Sequence, residues 1–393
     1  MKPIVKSMLN DDQYKLSMQQ GALELFPEAE AVYKFKNRGS QIFPNNFEDK
    51  ILDEIENMST IKLSKDEYSW IKHKNPFFKP WYLEYLKNYR YDPRQVKLSR
   101  DDNNRLDIDI SGKWHSSIKW EVSLMSVISE IFFKEVDTEW DYDGQYEKAY
   151  SKIERLDLNN CRFAEFGTRR RRSYKTQKIV IEAFCEAQKN LSTKNFIGTS
   201  NLHFAMLNNI TPIGSVSHEW IQAMQSLESL NHCNYYAMQN WIKVYNTELG
   251  IFLPDTITTD MFLQNFNRRF AMLFDGIRHD SSCPFTFTDK IVNAYKNKNI
   301  DPMSKFIIFS DGLCVDKAIE IKKYCEGKIN CSFGIGTDFT NSFDKSPSLN
   351  MVIKLWSINN FPVVKLSDVE GKENGDPEAI KNMKWIVKNQ LGV

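Results

Sequence analysis

The sequence predicts an α/β protein: an irregular, incomplete α/β barrel of about seven βα units with an N-terminal α/β domain. Three observations predict it. From about residue 160, short apolar runs alternate with polar or glycine-bearing loops and amphipathic helices. The connections are short, as successive parallel strands with crossover helices require. The first 135 residues lack that rhythm and mix helix with strand.

Size and composition bound the rest. At about 150 residues per domain, 393 residues make two domains or one large domain with an appendage. Hydrophobic residues are 41% and charged residues 26%, ordinary globular usage that excludes a disordered or collagen-like chain. A net charge of +1 gives no global field for nucleic acid or an anionic membrane. No apolar run reaches the length of a membrane span, mean hydropathy is −0.49, and MKPIVKSMLNDDQYK lacks a signal-peptide core. Seven cysteines, odd in number and without a CxxC pair, read as reduced thiols of a cytoplasmic protein.

The elements follow in order. Asn10 before Asp11 and Asp12 marks a helix start with acids in its first turn, and Tyr14, Leu16, Met18, Leu23 and Leu25 carry that helix to Phe26. AEAVYKFKNR and RLDIDISG alternate as half-buried strands do. The aromatic, lysine-rich stretch from about 40 to 125 reads as mostly helical. Then come the βα units: CRFAEFG, NFIGTSN, ITPIGSVSHEW, GIFLPDTITTD, MLFDGIRHDSS, SKFIIFSDGL and INCSFGIGTDF, each followed by helical sequence. The unit at ITPIGSVSHEW leads into one long helix through Met224 and Trp241. After about 345, MVIKLW and PVVKL read as strands and 378–390 as a helix. The domain division is 1–135, 136–345 and 346–393, the last segment returning to the first domain.

Barrels of this kind do their chemistry on the loops after the strands. Those loops hold the unusual residues here. SDGL and FGIGT end the last two units, where barrels commonly bind phosphate on backbone N–H groups, so Gly312, Gly334, Gly336 and Thr337 are phosphate candidates; the alternative is turn glycines without a ligand. One or two of Arg169 to Arg172 could hold a carboxylate or phosphate bidentately, or the run could form a solvated basic face. His218 ends GSVSH and could be a general base, a phosphoryl acceptor or a hydrogen-bonded loop residue. A Ser–His hydrolase with Ser215 or Ser217 lacks an oriented acid and a GxSxG elbow. Arg278, Asp280 and Ser281 put both charges on one loop, suiting phosphate and Mg²⁺. His279 and Cys283 alone are weak grounds for a transition metal, and no P-loop or GxGxxG is present.

DDQYKLSM, EFGTRR, FIGTSN, GSVSHEW, PDTITTD, DGIRHDS, SDGL and FGIGT, in this order, resemble the motifs of nicotinate phosphoribosyltransferases over residues 10 to 340. The resemblance implies a type II phosphoribosyltransferase. Such an enzyme joins nicotinate to 5-phosphoribosyl-1-diphosphate (PRPP), giving nicotinate mononucleotide and diphosphate, with ATP hydrolysed through a phosphohistidine. It opens NAD salvage from nicotinate. The resemblance makes His218 the phosphorylated residue. Tyr14 and Phe166 sandwich the pyridine ring, with Tyr14 donated across a homodimer interface. Gly167, Thr168 and Arg169 flank the nicotinate carboxylate, and Arg278 serves base and ribose. Asp255, Asp280 and Ser281 face ribose, diphosphate and Mg²⁺, with Asp280 as a metal ligand. Gly312, Gly334, Gly336 and Thr337 cradle the 5-phosphate. Amide-using relatives carry an aspartate where this chain has Ser200, which points to nicotinate rather than nicotinamide. One departure stands out: the family's DSGDP is DSSCP here, with Ser282 for glycine and Cys283 for an acid. The rival readings are another α/β-barrel enzyme of sugar phosphates, or a PRPP-binding protein with a degenerate site.

Overall fold

A computed structural model describes residues 3–191 and 194–392. The chain opens with α1 (Gln13–Leu25), which starts after Asp11 and Asp12 rather than enclosing them. Strand β1 (Glu30–Asn37) buries Ala31, Tyr33 and Phe35 on one face, as its alternation requires. Helices α2 (Phe47–Ser59), α3 (Lys65–Lys74) and α4 (Pro80–Asn88) follow, α3 held by a capping box between Ser64 and Glu67. Strands β2 (Val96–Arg100) and β3 (Leu106–Lys113) form a hairpin with Leu98 opposite Ile108. The sequence reading passes over β2, because its outward lysine and arginine positions blend into the charged stretch around it. Short α5 (Trp114–Ser117) leads to α6 (Trp120–Glu135), buried on nearly every side. That is why its sequence lacks a polar face.

Beyond α7 (Gln145–Leu158) the βα units begin. They are β4 (Phe163–Glu165) with α8 (Tyr174–Asn190), then β5 (Phe196–Thr199) with α9 (Leu202–Asn208). The long helix that the sequence predicts is two: α10 (His218–Leu227) and α11 (Cys233–Tyr245), broken around Glu228. Next come β6 (Ile251–Phe252) with α12 (Thr259–Asn265) and α13 (Arg268–Leu273), then β7 (Gly276–His279) with α14 (Pro284–Lys296). Strand β8 (Phe306–Phe309) with α15 (Val315–Cys325) and β9 (Asn330–Ile335) with α16 (Thr337–Thr340) close the series. The tail holds β10 (Met351–Ile358), β11 (Phe361–Pro362) and α17 (Pro377–Leu391).

Two sheets result. The antiparallel one runs β11-β10-β1-β3-β2, so the tail strand β10 pairs directly with β1. The parallel one runs β5-β4-β9-β8-β7-β6. Six of the segments read as barrel strands pair in that sheet. The seventh, Thr211–Val216, lies at the gap between β5 and β6. Thr199 N donates to Thr211 O at 3.2 Å and Ile213 N to Thr199 O at 2.8 Å. Gly198 permits this approach, since a Cβ there would sit 1.9 Å from the Thr211 carbonyl oxygen. Toward β6, Ser215 Oγ donates to Ile251 O at 2.8 Å.

A continuous apolar core joins the two parts. Trp220 of α10 stacks on Trp114 at 5.6 Å between centroids and meets Trp241 edge-on at 5.4 Å. This clamp fixes the start of α10, and hence His218, against α5 and α11.

Candidate active site

The C-terminal ends of the parallel strands open onto a cavity of about 490 Å³. Its wall includes Tyr14, Phe166, Gly167, Arg169, Ser200, Arg278, Asp280, Gly312, Gly334, Gly336 and Thr337. These residues come from six separate stretches of one chain, and the fold brings them together. A second cavity of about 240 Å³ adjoins it, sharing Tyr14, Arg169, Arg170, Arg278, Asp280, Ser310 and Gly312. His218 lines the second cavity and not the first.

The arginine run is split by its own backbone. The 3₁₀ turn Thr168–Arg170 points Arg169 and Arg170 into the cavities. Arg171 and Arg172 are fully buried on the other side. Arg172 lies 3.6 Å from the Phe133 ring centroid and 4.0 Å from that of Phe343; Arg171 donates to Asn10 Oδ1 and Gln177 Oε1. A solvated basic face does not describe these two.

The base wall is braced from behind by Glu165. Its carboxylate accepts from Gly167 N at 2.5 Å, Thr199 Oγ1 at 2.5 Å and Gln177 Nε2 at 3.1 Å. It thus ties the loop after β4 to the end of β5. Burial pushes its carboxyl up to about 7, the three donors holding it back. Gly334 seats the Phe166 ring: a Cβ there would lie 2.3 Å from a ring carbon. Arg278 stands 5.9 Å from the same ring centroid.

Some sequence-predicted residues lie behind the wall. Thr168, Asp255 and Ser281 line neither cavity. Thr168 accepts from Gln177 and Asn201, and Ser281 Oγ donates to Asp255 Oδ2 at 2.7 Å. Ser200 lines the cavity, but its hydroxyl donates to Asp12 Oδ1 at 2.7 Å. Tyr14 and Phe166 both line this cavity within one chain.

His218 stands in a charged cage. Its Nε2 is 2.9 Å from Asp280 Oδ2 and its Nδ1 3.0 Å from Thr256 Oγ1. Lys365, from the tail, lies 3.1 Å from both His218 Nε2 and Asp255 Oδ2. Burial and then the Lys365 cation push the imidazole below its usual range. Burial opposes ionisation of Asp280, yet Arg278 and His218 hold its carboxyl well below the usual range. Nε2 thus faces both the Asp280 carboxylate and the Lys365 ammonium, while Nδ1 faces the Thr256 hydroxyl. Asp280 Oδ1 also accepts from Arg278 Nη2 at 3.1 Å and Ser310 Oγ at 2.9 Å.

Next to His218, Glu219 accepts from Lys15 Nζ at 2.5 Å, Tyr33 OH at 2.6 Å and Trp114 Nε1 at 2.8 Å. Lys15 also meets Glu121 at 2.5 Å, all three side chains being nearly or fully buried. The helix before the cavity is therefore locked to the helix that starts at His218. Arg38, Arg170, Lys354, Lys365 and Lys372 make the second cavity strongly basic. Asp12, Thr256, Ser310 and Lys365 escape sequence reasoning as individual residues. The first three stand inside or at the edge of quoted motifs; Lys365 stands in a stretch that reads only as a strand.

The model of the nicotinate phosphoribosyltransferase (NAPRTase) N-terminal domain matches residues 9–129, and that of the nicotinate phosphoribosyltransferase family matches residues 161–391. The chain belongs to the nicotinate phosphoribosyltransferase family. A curated family member from Methanosarcina mazei is 44% identical, with 98% of each chain covered. One from Chromohalobacter salexigens is 37% identical, again with 98% of each covered. The crystal structure of nicotinate phosphoribosyltransferase from Porphyromonas gingivalis superposes with a TM-score of 0.93 at 36% identity, over 99% of this chain and 100% of that one. That from Vibrio cholerae gives 0.89 at 32% identity, over 98% and 94%. Among the described residues no helix is long and apolar enough to cross a membrane.

Proposed function

We propose that the chain is a nicotinate phosphoribosyltransferase, converting nicotinate, PRPP, ATP and water to nicotinate mononucleotide, diphosphate, ADP and phosphate. The observation that carries this reading is one cavity that holds Tyr14, Phe166, Arg169 and the strand-end glycines, with His218 in a basic annex next door. Family membership supports the same activity.

The pyridine ring lies between Tyr14 and Phe166, where flat apolar faces suit it. Arg169 and Arg278 supply positive charge for the carboxylate and the ribosyl diphosphate. Gly312, Gly336 and Thr337 offer backbone and hydroxyl donors to the 5-phosphate. The ring nitrogen attacks the anomeric carbon as the diphosphate leaves.

His218 takes the γ-phosphoryl group of ATP. The ring is held at Nε2 by Asp280 and Lys365 and at Nδ1 by Thr256, which fixes its orientation toward the phosphoryl group. Lys365 then stands beside the charge that the phosphoryl group brings. The lysines and arginines of the annex suit a polyphosphate.

Magnesium fits the donor set. Asp255 Oδ1 is buried and takes no hydrogen bond, 3.7 Å from His218 Nε2, and Asp280 provides a second carboxylate. Asp280 on the cavity wall would hold the ion, with Asp255 behind it as the nearest further carboxylate. When bound, the ion offsets charge on the leaving diphosphate.

The test is nucleotide formation by purified protein with PRPP, Mg²⁺ and nicotinate, with and without ATP, beside His218→Ala. Product that rises with ATP, and loses that rise in the variant, supports both transfer and phosphohistidine. Product from nicotinamide alone would overturn the choice of base.

A further inference from the structure

Ser200 and Asp12 share a single hydrogen-bond donor. Ser200 Oγ donates to Asp12 Oδ1 at 2.7 Å, and both residues line the larger cavity while almost sealed from solvent. Backbone pins the pair from each side: Gln13 N donates to Ser200 O at 2.8 Å, and Asp12 forms an antiparallel bridge with Asn201. A serine whose proton points at Asp12 offers the cavity only lone pairs. A carboxylate brought to this wall meets an ionised carboxylate and no donor from the Ser200–Asp12 pair itself. A second carboxylate at a buried site raises the first where cations do not offset both. An amide meets the reverse, because its NH₂ group finds two acceptors.

We propose that Asp12 is a specificity-determining residue: the cavity accepts nicotinate with Asp12 carrying a proton, and an amide with Asp12 ionised. This rests on the reading of the cavity as the nicotinate site. The proton comes from solvent, sits on the Asp12 carboxyl and returns to solvent when the product leaves; no electrons move. A neutral Asp12 donates its own O–H, either to the bound carboxylate or to Ser200 Oγ. In the second case the serine proton is free to turn toward the base. Discrimination is then a property of the pair and not of the serine alone.

The surroundings agree. Burial pushes the Asp12 carboxyl up to about 6, while the Ser200 bond and the Arg169 cation restrain it. A second carboxylate raises it further. Facing Asp12 are Asp11, which is paired with Lys119 at 2.8 Å, Arg169, the Tyr14 phenol and the hydroxyl of Thr168. Burial puts Tyr14 well above the usual phenol range. Glu165 also faces this corner, from behind Thr199, and lines neither cavity.

The experiment compares KM for nicotinate and nicotinamide, from about pH 5.5 to about pH 9, in the wild-type chain and in Asp12→Asn. The expected wild-type result is a nicotinate KM that rises by up to about tenfold per pH unit on the alkaline side. In Asp12→Asn that limb is flat. Nicotinate binding to the wild-type protein at about pH 8, measured by calorimetry in buffers of different ionisation heat, takes up about one proton. A pH-independent wild-type KM without proton uptake overturns the proposal. So does an alkaline limb that persists in Asp12→Asn, which would place the proton on Glu165. If Asp12→Asn does not fold, the wild-type proton count decides alone. Failure to use nicotinate at any pH, with another base turned over, would instead sink the reading of the cavity.

Discussion

Asp280 reaches two functional groups with one carboxylate: Oδ2 lies 2.9 Å from His218 Nε2 while Oδ1 lies 3.1 Å from Arg278 Nη2. The group that orients the proposed phosphoryl acceptor thus also positions the arginine of the substrate cavity. Asp280→Asn keeps the shape and loses the charge that faces the imidazole. Phosphorylation of His218 should fall by roughly 10²–10⁴-fold. Incorporation of label from γ-labelled ATP measures it. Labelling at the wild-type rate would show that Asp280 does not orient His218.

Ser200→Asp would place a second carboxylate against Asp12, where a 2.7 Å hydroxyl bond stands now. Preference should move toward nicotinamide by about tenfold or more. The ratio of kcat/KM for the two bases reads it. An unchanged ratio would remove the Ser200 loop from base selection.

Ser282 has φ +75°, in the left-handed region that favours glycine. The family motif DSGDP has glycine at this position, so DSSCP keeps the turn and adds the cost of a Cβ. Ser282→Gly should stabilise the chain by roughly 0.5–1 kcal/mol. Urea unfolding of both proteins checks this, and a lower midpoint for the variant would refute it.

Glu165 has its carboxyl raised from 4.5 to about 7 by burial. The folded state therefore holds more protons than the unfolded state between those values. Its contribution to stability falls as pH rises through that window and is level above it. His203, lowered by burial from 6.5 to about 4, acts in the opposite direction over a similar range. Comparison with Glu165→Gln isolates the carboxyl. The wild-type-minus-variant difference in thermal midpoint should decline from about pH 4.5 to about pH 7. A difference independent of pH would place the Glu165 titration elsewhere.

Tyr14 and Phe166 line one cavity in one chain. Specific activity should therefore persist on dilution to concentrations at which sedimentation shows only monomer. Activity that disappears with the dimer would restore the donation of Tyr14 across an interface.

The repeating run, loop and helix of residues 160 to 340 are legible because each barrel strand is buried and each helix shows one apolar face. The eight motifs are legible for a similar reason: they are short and lie where strands end. Other features depend on partners far along the chain. Lys365 meets His218 across 147 positions, and nothing in PVVKL marks a site. Asp11 and Asp12 look like first-turn acids, yet tertiary bonds to Lys119 and Ser200 claim them before the helix begins. Arg169 and Arg171 are the same residue type two positions apart. Only the backbone turn between them sends one to the cavity and the other to the core.

The parallel wall is a horseshoe whose open ends are joined by the strip 211–216. That strip is laced by backbone to β5 and by the Ser215 hydroxyl to β6. The same strip is fastened to α1, where Gln13 Nε2 donates to Gly214 O at 3.0 Å, and Val216 is buried in the core. His218 begins two residues beyond it. The residue proposed to take the phosphoryl group therefore hangs from a seam stitched to β5, β6 and α1 at once.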